Sequence, residues 1–384
     1  MTGAADTGIQ FARLGFAVQV RLADNAEASS EVLVLDTNSR SLPPARASEC
    51  VRRGARDIGP AARTYKKIDS TLRGNCGVEI AALMDVADRR AAIVAPAYPT
   101  NGRTTRGGVQ RVHGVPVHET PMAADPTHPM PHRSIGDALR QHARRPATPF
   151  PLSVVAEGWE RLAARFENVE GFVIVDAEDE GHLETIARAA DAHRARCLPV
   201  GSAGLAAHLG RLWRSEGSAT HRADAPCRAC QRVLIVVGSQ HPVSREQAAA
   251  LARAGYPGVD PFAEGWGERA RRALAGGVGV LAAPRAAGLT ATEVAQRLAA
   301  CAVTLRTEGP MDGIILTGGD TARAVLDRFG ARAIDLECEL EPGVPRGRVI
   351  GGGLDGTAVV TKAGGFGATA TLLNALHNLR RSHD

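Results

Sequence analysis

The densest run of chemically competent side chains is Tyr65–Asn75, reading Y-K-K-I-D-S-T-L-R-G-N. It offers ammonium groups, a guanidinium, a carboxylate and small hydroxyls within a few residues. That inventory suits an anionic, hydroxylated ligand. Lys66 or Lys67 would act as a point charge, and Arg73 as a planar fork for carboxylate or phosphate. Asp69 could accept from a hydroxyl, and Ser70 and Thr71 are small donors. In an extended segment Lys66 and Ile68 share one face while Lys67 and Asp69 share the other, which makes Lys67 and Asp69 the better pair for a site. The plainer alternative makes Ser70 or Thr71 a helix cap and the charges a solvated turn.

A second polar loop, P-A-Y-P-T-N-G-R-T-T-R-G-G at Pro96–Gly108, sets Arg103 and Arg106 among glycines, where they could meet an anion or face solvent. Three glycine turns follow in the carboxy-terminal part. V-V-G-S-Q-H-P at Val236–Pro242 ends a strand in Gly238-Ser239, with Ser244 and Gln247 as a capping box for the next helix. T-G-G-D-T-A at Thr317–Ala322 places Gly318 and Gly319 before a helix opened by Asp320 and Thr321, whose free N–H groups and dipole suit phosphate. T-K-A-G-G-F-G at Thr361–Gly367 joins Lys362 to Gly364, Gly365 and Gly367. Each turn alone is weak evidence, because a tight strand-to-helix turn needs glycine anyway. Three in about 150 residues favour a nucleotide or phosphate site. Neither the G-x-x-x-x-G-K-[ST] loop nor the G-x-G-x-x-G fingerprint is present, so any nucleotide site is of another architecture.

Other candidates are discounted. His128 and His132 lie among prolines, where no helix aligns their rings, so no metal site is expected. Cys227-x-x-Cys230 has no second pair at zinc spacing and reads as a linker with free thiols. Ser239 lacks the nucleophile elbow of a hydrolase.

These loops need a frame. The β-rich runs Val32–Leu35, Ala92–Ala95, Phe172–Val175, Val233–Val237, Gly279–Ala282 and Gly313–Leu316 alternate with helical patterns at 78–87, 183–193, 245–254, 291–306 and 322–329. The alternation predicts an α/β fold of parallel sheets covered by helices on both faces. The polar stretch Ser215–Gln231 is the best boundary, dividing the chain into residues 1–220 and 230–384. Pro121–Pro151, with seven prolines, reads as an excursion from the first domain. At the start, a helical pattern (Ile9, Phe11, Ala12, Leu14) is followed by a turn and strand over Gly15–Val20.

Composition supports this frame. The chain has 384 residues, 44% hydrophobic and 23% charged, enough to fill cores. A net charge of +5, spread without a basic block and with 4% aromatics, argues against a nucleic-acid partner. No apolar run approaches a membrane span and no signal peptide is apparent, so a soluble, cytoplasmic protein is expected. Only Lys66, Lys67 and Lys362 among the 46 basic residues are lysines, and all three fall in candidate ligand turns.

Together the motifs resemble the four-carbon acid sugar kinases, a family long catalogued only as a domain of unknown function. The resemblance runs nearly end to end. It includes T-G-A-A-D-T-G at Thr2–Gly8, K-K-I-D-S-T-L-R-G-N at Lys66–Asn75, A-P-A-Y-P-T-N-G-R-T-T at Ala95–Thr105 and V-G-S-A-G-L at Val200–Leu205. G-S-Q-H-P at Gly238–Pro242, T-G-G-D-T-A, P-G-V-P at Pro342–Pro345 and K-A-G-G-F-G at Lys362–Gly367 complete it.

The resemblance implies an ATP-dependent kinase of two α/β domains with its active site in the cleft between them. The first would hold threonate, erythronate or an oxo-tetronate, and the second ATP, with Mg²⁺. By motif matching, nucleotide contacts fall on Ser239, Gly318, Gly319, Asp320, Thr321, Lys362, Gly364 and Gly365. The acid-sugar site takes Lys66, Lys67, Asp69, Ser70, Arg73, Asn75 and Arg103. Arg73 or Lys67 would anchor the sugar carboxylate and Asp69 is the candidate base. Lys362, the glycine-turn amides and Mg²⁺ would stabilise the transferring phosphoryl group.

Family members begin with a strand running into A-D-D-L-T-G-A, and this chain starts at Met1 in place of that leucine. Either the true start lies upstream, or this chain lacks an inner strand and two substrate-site aspartates; the expectation is a full-length product that is a kinase and a chain as written that is impaired. A truncated paralogue that binds without turnover is the alternative, and an NAD-dependent oxidoreductase a third reading. The particular acid sugar and the oligomeric state stay open.

Overall fold

The computed structural model describes residues 1–22, 30–59, 61–124, 129–216, 229–284 and 288–381. In chain order its strands are β1 (Val18–Arg21), β2 (Val32–Leu35), β3 (Lys66–Lys67), β4 (Ala91–Ala95), β5 (Arg103–Arg106), β6 (Val109–Val112), β7 (Val115–Pro116) and β8 (Ala147–Phe150). Then come β9 (Gly171–Val175), β10 (Cys197–Gly201), β11 (Val233–Val237), β12 (Val278–Ala282), β13 (Gly313–Thr317), β14 (Ala333–Glu341), β15 (Val344–Ile350) and β16 (Ala358–Lys362). By packing, the chain forms two compact units, Thr37–Ala219 and Met1–Asp36 with Thr220–Asp384.

The unit of residues 37–219 is built on a parallel sheet of order β3-β10-β4-β9-β8. Its inner strands are apolar at every position, as parallel strands covered on both faces must be. Ala91, Ile93 and Ala95 of β4 pack with Phe166, Leu183, Ile186, Leu205 and Leu209 from the helices Trp159–Phe166, Glu180–Ala192 and Ala203–Glu216. Ala92 and Val94 face the other way, onto Ile80, Met84, Ile135 and Leu139 of the helices Cys76–Val86 and Ile135–Arg140. The 121–151 excursion returns as the edge strand β8, where Pro149 removes no inner ladder bond. His128 lies outside the described residues. A small antiparallel sheet, β5-β6-β7, stands apart.

The second unit has an eight-stranded sheet of order β12-β11-β13-β16-β15-β14-β1-β2. Its β12-β11-β13-β16 half is parallel, as expected, whereas β14 and β15 run antiparallel to their neighbours. P-G-V-P supplies the turn between them, with Gly343 at φ 77°. Sequence places residues 1–220 together; in packing, the first 36 join residues 220–384 instead. The cause is a long-range pairing: β1 pairs with β14, Gln19 opposite Asp335. The helix Thr2–Ala12 lies so close that a Cβ on Gly8 would sit 2.7 Å from Leu336. Among the described residues no helix is long and apolar enough to cross a membrane.

Candidate functional site

In the 37–219 unit, the polar run emerges from the carboxyl end of β3, where open α/β sheets receive ligands. The Ile68 N–H donates to Gly201 O at 2.8 Å, ending the ladder with β10. Leu72 then takes φ 65° and Gly74 φ 92°. A leucine in the left-handed region is strained, and its buried side chain pins it there. The tight turn wraps Asp69. Its Oδ2 accepts from Thr71 Oγ1 at 2.5 Å, Thr71 N at 3.2 Å and Arg73 Nε at 3.0 Å, while Oδ1 accepts from Arg73 Nη2 at 3.0 Å. Arg40 Nη2 stands 3.5 Å from the same carboxylate. Burial alone would raise the Asp69 pKa, but the charges of Arg73, Arg40 and Lys67 outweigh it and hold it well below the usual carboxylate range.

The side chains alternate as expected. Lys66 lies on the side of the helix Cys76–Val86, donating to Glu79 Oε2 at 2.8 Å, and Ile68 packs with that helix's Ile80. Lys67 donates to Ile68 O at 3.0 Å and lies within electrostatic reach of Asp69. Arg103, from β5, joins the group. Burial and the Arg73 charge lower its pKa, with Asp69 pulling the other way. The structure therefore gathers Arg40, Lys67, Arg73 and Arg103 around Asp69, a surplus of positive charge suited to an anionic ligand.

In the other unit, the three glycine turns lie side by side, because β11, β13 and β16 are adjacent parallel strands. The contacts tolerate no side chain. A Cβ on Gly238 would be 2.1 Å from Thr321 Oγ1, and one on Gly364 would be 2.0 Å from Ser239 Oγ. Gly318, at φ 98°, caps the helix Gly319–Arg328, whose first backbone bond runs from Ala322 N–H to Gly318 O at 2.9 Å. The preceding N–H groups are the donors such a helix start presents to phosphate. Asp320 is exposed in the same turn.

Two family models match the chain. A sugar-binding N-terminal domain matches residues 1–209, and a nucleotide-binding C-terminal domain matches residues 268–372. The D-threonate kinase of Bordetella bronchiseptica is 39% identical, over 99% of this chain and 96% of its own length. The chain belongs to the four-carbon acid sugar kinase family. The D-erythronate kinase of Heliobacterium modesticaldum is 31% identical over 95% of this chain and 92% of its own. The crystal structure of a Haemophilus influenzae protein aligns with a TM-score of 0.76 over 99% of this chain and 98% of its own; at 20% identity it speaks for the fold alone.

Within this acid sugar kinase family member, several residues sit differently from what motif matching assigns. Asn75 Nδ2 donates to the carbonyls of Ser39, Arg40 and Leu42 at 2.8–3.2 Å. It clasps the 39–42 segment to the turn and so delivers Arg40, which sequence reading missed. A cue was there: Gly74, in the motif, leaves room for Arg40, whose Cγ would be 2.8 Å from a Cβ. Lys66 is matched by Glu79, which also accepts from Ser39 Oγ at 2.7 Å. Ser70 offers its backbone, with its carbonyl accepting from Gln110 Nε2 at 2.7 Å.

Lys362 is the largest departure. It is fully buried, and its ammonium donates to the carbonyls of Ala363 at 2.8 Å, Gly364 at 3.3 Å and Phe366 at 2.9 Å. Burial lowers its pKa to about 8. It holds the loop from beneath. Ser244 and Gln247 grip that loop from the other side: Ser244 Oγ donates to Gly364 O at 2.7 Å, and Gln247 Nε2 to Phe366 O at 3.1 Å and Ala368 O at 2.8 Å. They do not form the expected capping box, because Pro242 starts the helix earlier with His241 as its cap.

Among the described residues no cluster of His, Cys, Asp or Glu could hold a metal by itself. Cys227 lies outside the described residues, and Cys230 is a buried cysteine whose Sγ donates to Asp312 O at 3.4 Å.

Proposed function

We propose that this chain transfers the γ-phosphoryl group of ATP to a terminal hydroxyl of a four-carbon acid sugar of the threonate, erythronate or oxo-tetronate type. The observation that carries the reading is the cationic turn around Asp69, found in a chain so similar to named D-threonate and D-erythronate kinases. A binding role without turnover is not favoured, since relatives named as kinases align with nearly the whole chain. The sugar carboxylate is held by Lys67, Arg40 and Arg103, with Arg73 aimed by Asp69. Asp69 positions the turn rather than taking a proton, because its acceptor sites are filled and its pKa is depressed. Phosphoryl transfer through a loose transition state asks little of a base and much of alignment and charge.

On the nucleotide side, the N–H groups at Gly319–Thr321 and the Ser239 hydroxyl receive phosphate oxygens. Lys362 fixes the shape of the Gly364–Gly365 loop instead of touching them. The donor set fits a Mg²⁺ ion carried chiefly by the phosphates, with the exposed Asp320 carboxylate as its protein ligand. When bound, such an ion neutralises the developing phosphate charge. Incubating the protein with MgATP and each of D-threonate, D-erythronate and 3-oxo-tetronate, followed by ³¹P NMR, tests the reading. A new phosphomonoester resonance matched by ADP supports it, and intact ATP in all three sinks it.

A further inference from the structure

The hairpin β5–β6 crosses the carboxyl edge of the parallel sheet β3-β10-β4-β9-β8. On one side it is fastened to the segment that follows β9. The carboxylate of the buried Asp176, which follows β9, accepts from Gly107 N at 2.6 Å and Gly108 N at 2.9 Å. Thr105 and Ala177 exchange backbone bonds at 2.7 and 3.1 Å. On the opposite side, from β6, Gln110 Nε2 donates to Ser70 O at 2.7 Å, on the turn that follows β3. In the sheet order β10 and β4 stand between β3 and β9, about three strand spacings or roughly 14 Å, and the hairpin with its contacts on both sides bridges that interval. Arg103 opens this hairpin, and its backbone is tied to Tyr98 on the loop after β4, at 2.8 and 3.0 Å.

Gln110 is 3% exposed and is itself oriented. Thr105 Oγ1, directly opposite on β5, donates to Gln110 Oε1 at 2.6 Å, which turns the amide nitrogen toward Ser70. A buried amide held at both ends is costly to disturb. Gln110 thus ties together the two arms of the anion site: Arg103 rides on the hairpin, and Asp69 with Arg73 on the turn.

We propose that Gln110 is a positioning residue that sets the span between Arg103 and the Asp69–Arg73 turn, and thereby the fit of the acid-sugar carboxylate. The inference rests on the functional reading above. It predicts a particular pattern for Gln110→Glu, which is nearly isosteric. The ionised carboxylate of that variant cannot donate to Ser70 O, whereas its protonated form can. Since burial beside a carbonyl raises a glutamate's pKa, the defect should be pH-dependent and reversible.

Steady-state kinetics of the full chain with MgATP and the tetronate it turns over, across about pH 6 to 9, give the test. The expected result for Gln110→Glu is a tetronate KM raised about tenfold at high pH and restored toward the wild-type value at low pH, with the ATP KM unchanged throughout. Gln110→Leu should show the raised tetronate KM at every pH. A tetronate KM matching wild type in both variants overturns the proposal, as does a parallel rise in both KM values that tracks lost thermal stability. Wild-type protein that phosphorylates no tetronate overturns the functional reading instead, so the two failures are told apart.

Discussion

Arg73 holds Asp69 with two parallel bonds, Nε to Oδ2 and Nη2 to Oδ1, each 3.0 Å long. Fork-on-carboxylate geometry of this kind is the strongest form of ion pair and fixes both partners in one plane. It also means that Asp69 stays ionised when other carboxylates protonate. Its folded pKa lies below the unfolded value, so its stabilisation is present above about pH 4 and is lost as pH falls through the folded value. Two outcomes are expected. The kcat/KM profile should show no inflection from Asp69 between about pH 5 and 8. Asp69→Asn should cost about 2–3 kcal/mol in urea unfolding, because it strands Arg73 and Arg40. A well-folded Asp69→Asn that loses all turnover would restore Asp69 as the base.

The adjacent lysines should separate cleanly. Lys66→Met leaves Glu79 buried and without its cation, so stability should fall by about 3 kcal/mol while the tetronate KM changes little. Lys67→Met should do the reverse, lowering kcat/KM for the tetronate about 100-fold, some 2.7 kcal/mol, with a near-normal melting temperature. Thermal melts and kinetics on the two variants decide it, and equal effects on both measures would contradict the assignment.

Lys362 should make stability depend on alkaline pH. Its folded pKa is about 8, below the ordinary lysine value, so between about pH 8 and 10.5 the unfolded chain binds the extra proton. Stability contributed at this site therefore rises with pH over that window. Urea midpoints at pH 7.5 and 9.5 should show wild type gaining on Lys362→Met at the higher pH. No relative gain would mean that the ammonium is not held in so dry a place.

Gly238→Ala tests the nucleotide cradle. The added methyl would meet Thr321 Oγ1 at 2.1 Å and Leu298 Cδ1 at 2.8 Å, both anchored in helices. Overpacking of this sort costs about 1–3 kcal/mol. The ATP KM should rise at least tenfold while tetronate binding, measured by calorimetry, stays as in wild type.

Much of this was legible in the sequence because the relevant signals are local. Runs such as Val-Leu-Ile-Val-Val announce a strand buried on both faces, and glycine at strand ends announces a tight turn. The Tyr65–Asn75 cluster offered its cations and carboxylate through residue type alone, and alternation placed Lys66 toward Glu79 and Lys67 toward Asp69. What was hidden depends on partners distant in sequence. Arg40 reaches Asp69 through the Asn75 clasp. Gln110 meets Ser70 from forty residues away. Lys362 looked like a phosphate ligand because glycines follow it, and only the fold shows the buried ammonium turned onto the carbonyls of Ala363, Gly364 and Phe366. The antiparallel β14–β15 arm, which draws the first 36 residues into the second unit, rests on pairings no local pattern reveals.

The most direct measurement is ADP release by the purified chain in MgATP, titrated with D-threonate, D-erythronate and 3-oxo-tetronate in turn. At least one should give saturable ADP release, equal in amount to a tetronate phosphate monoester identified by mass spectrometry, and Lys67→Met should lose it. ADP release that no acid sugar stimulates, or acid-sugar binding with no phosphate ester formed, would contradict the kinase reading.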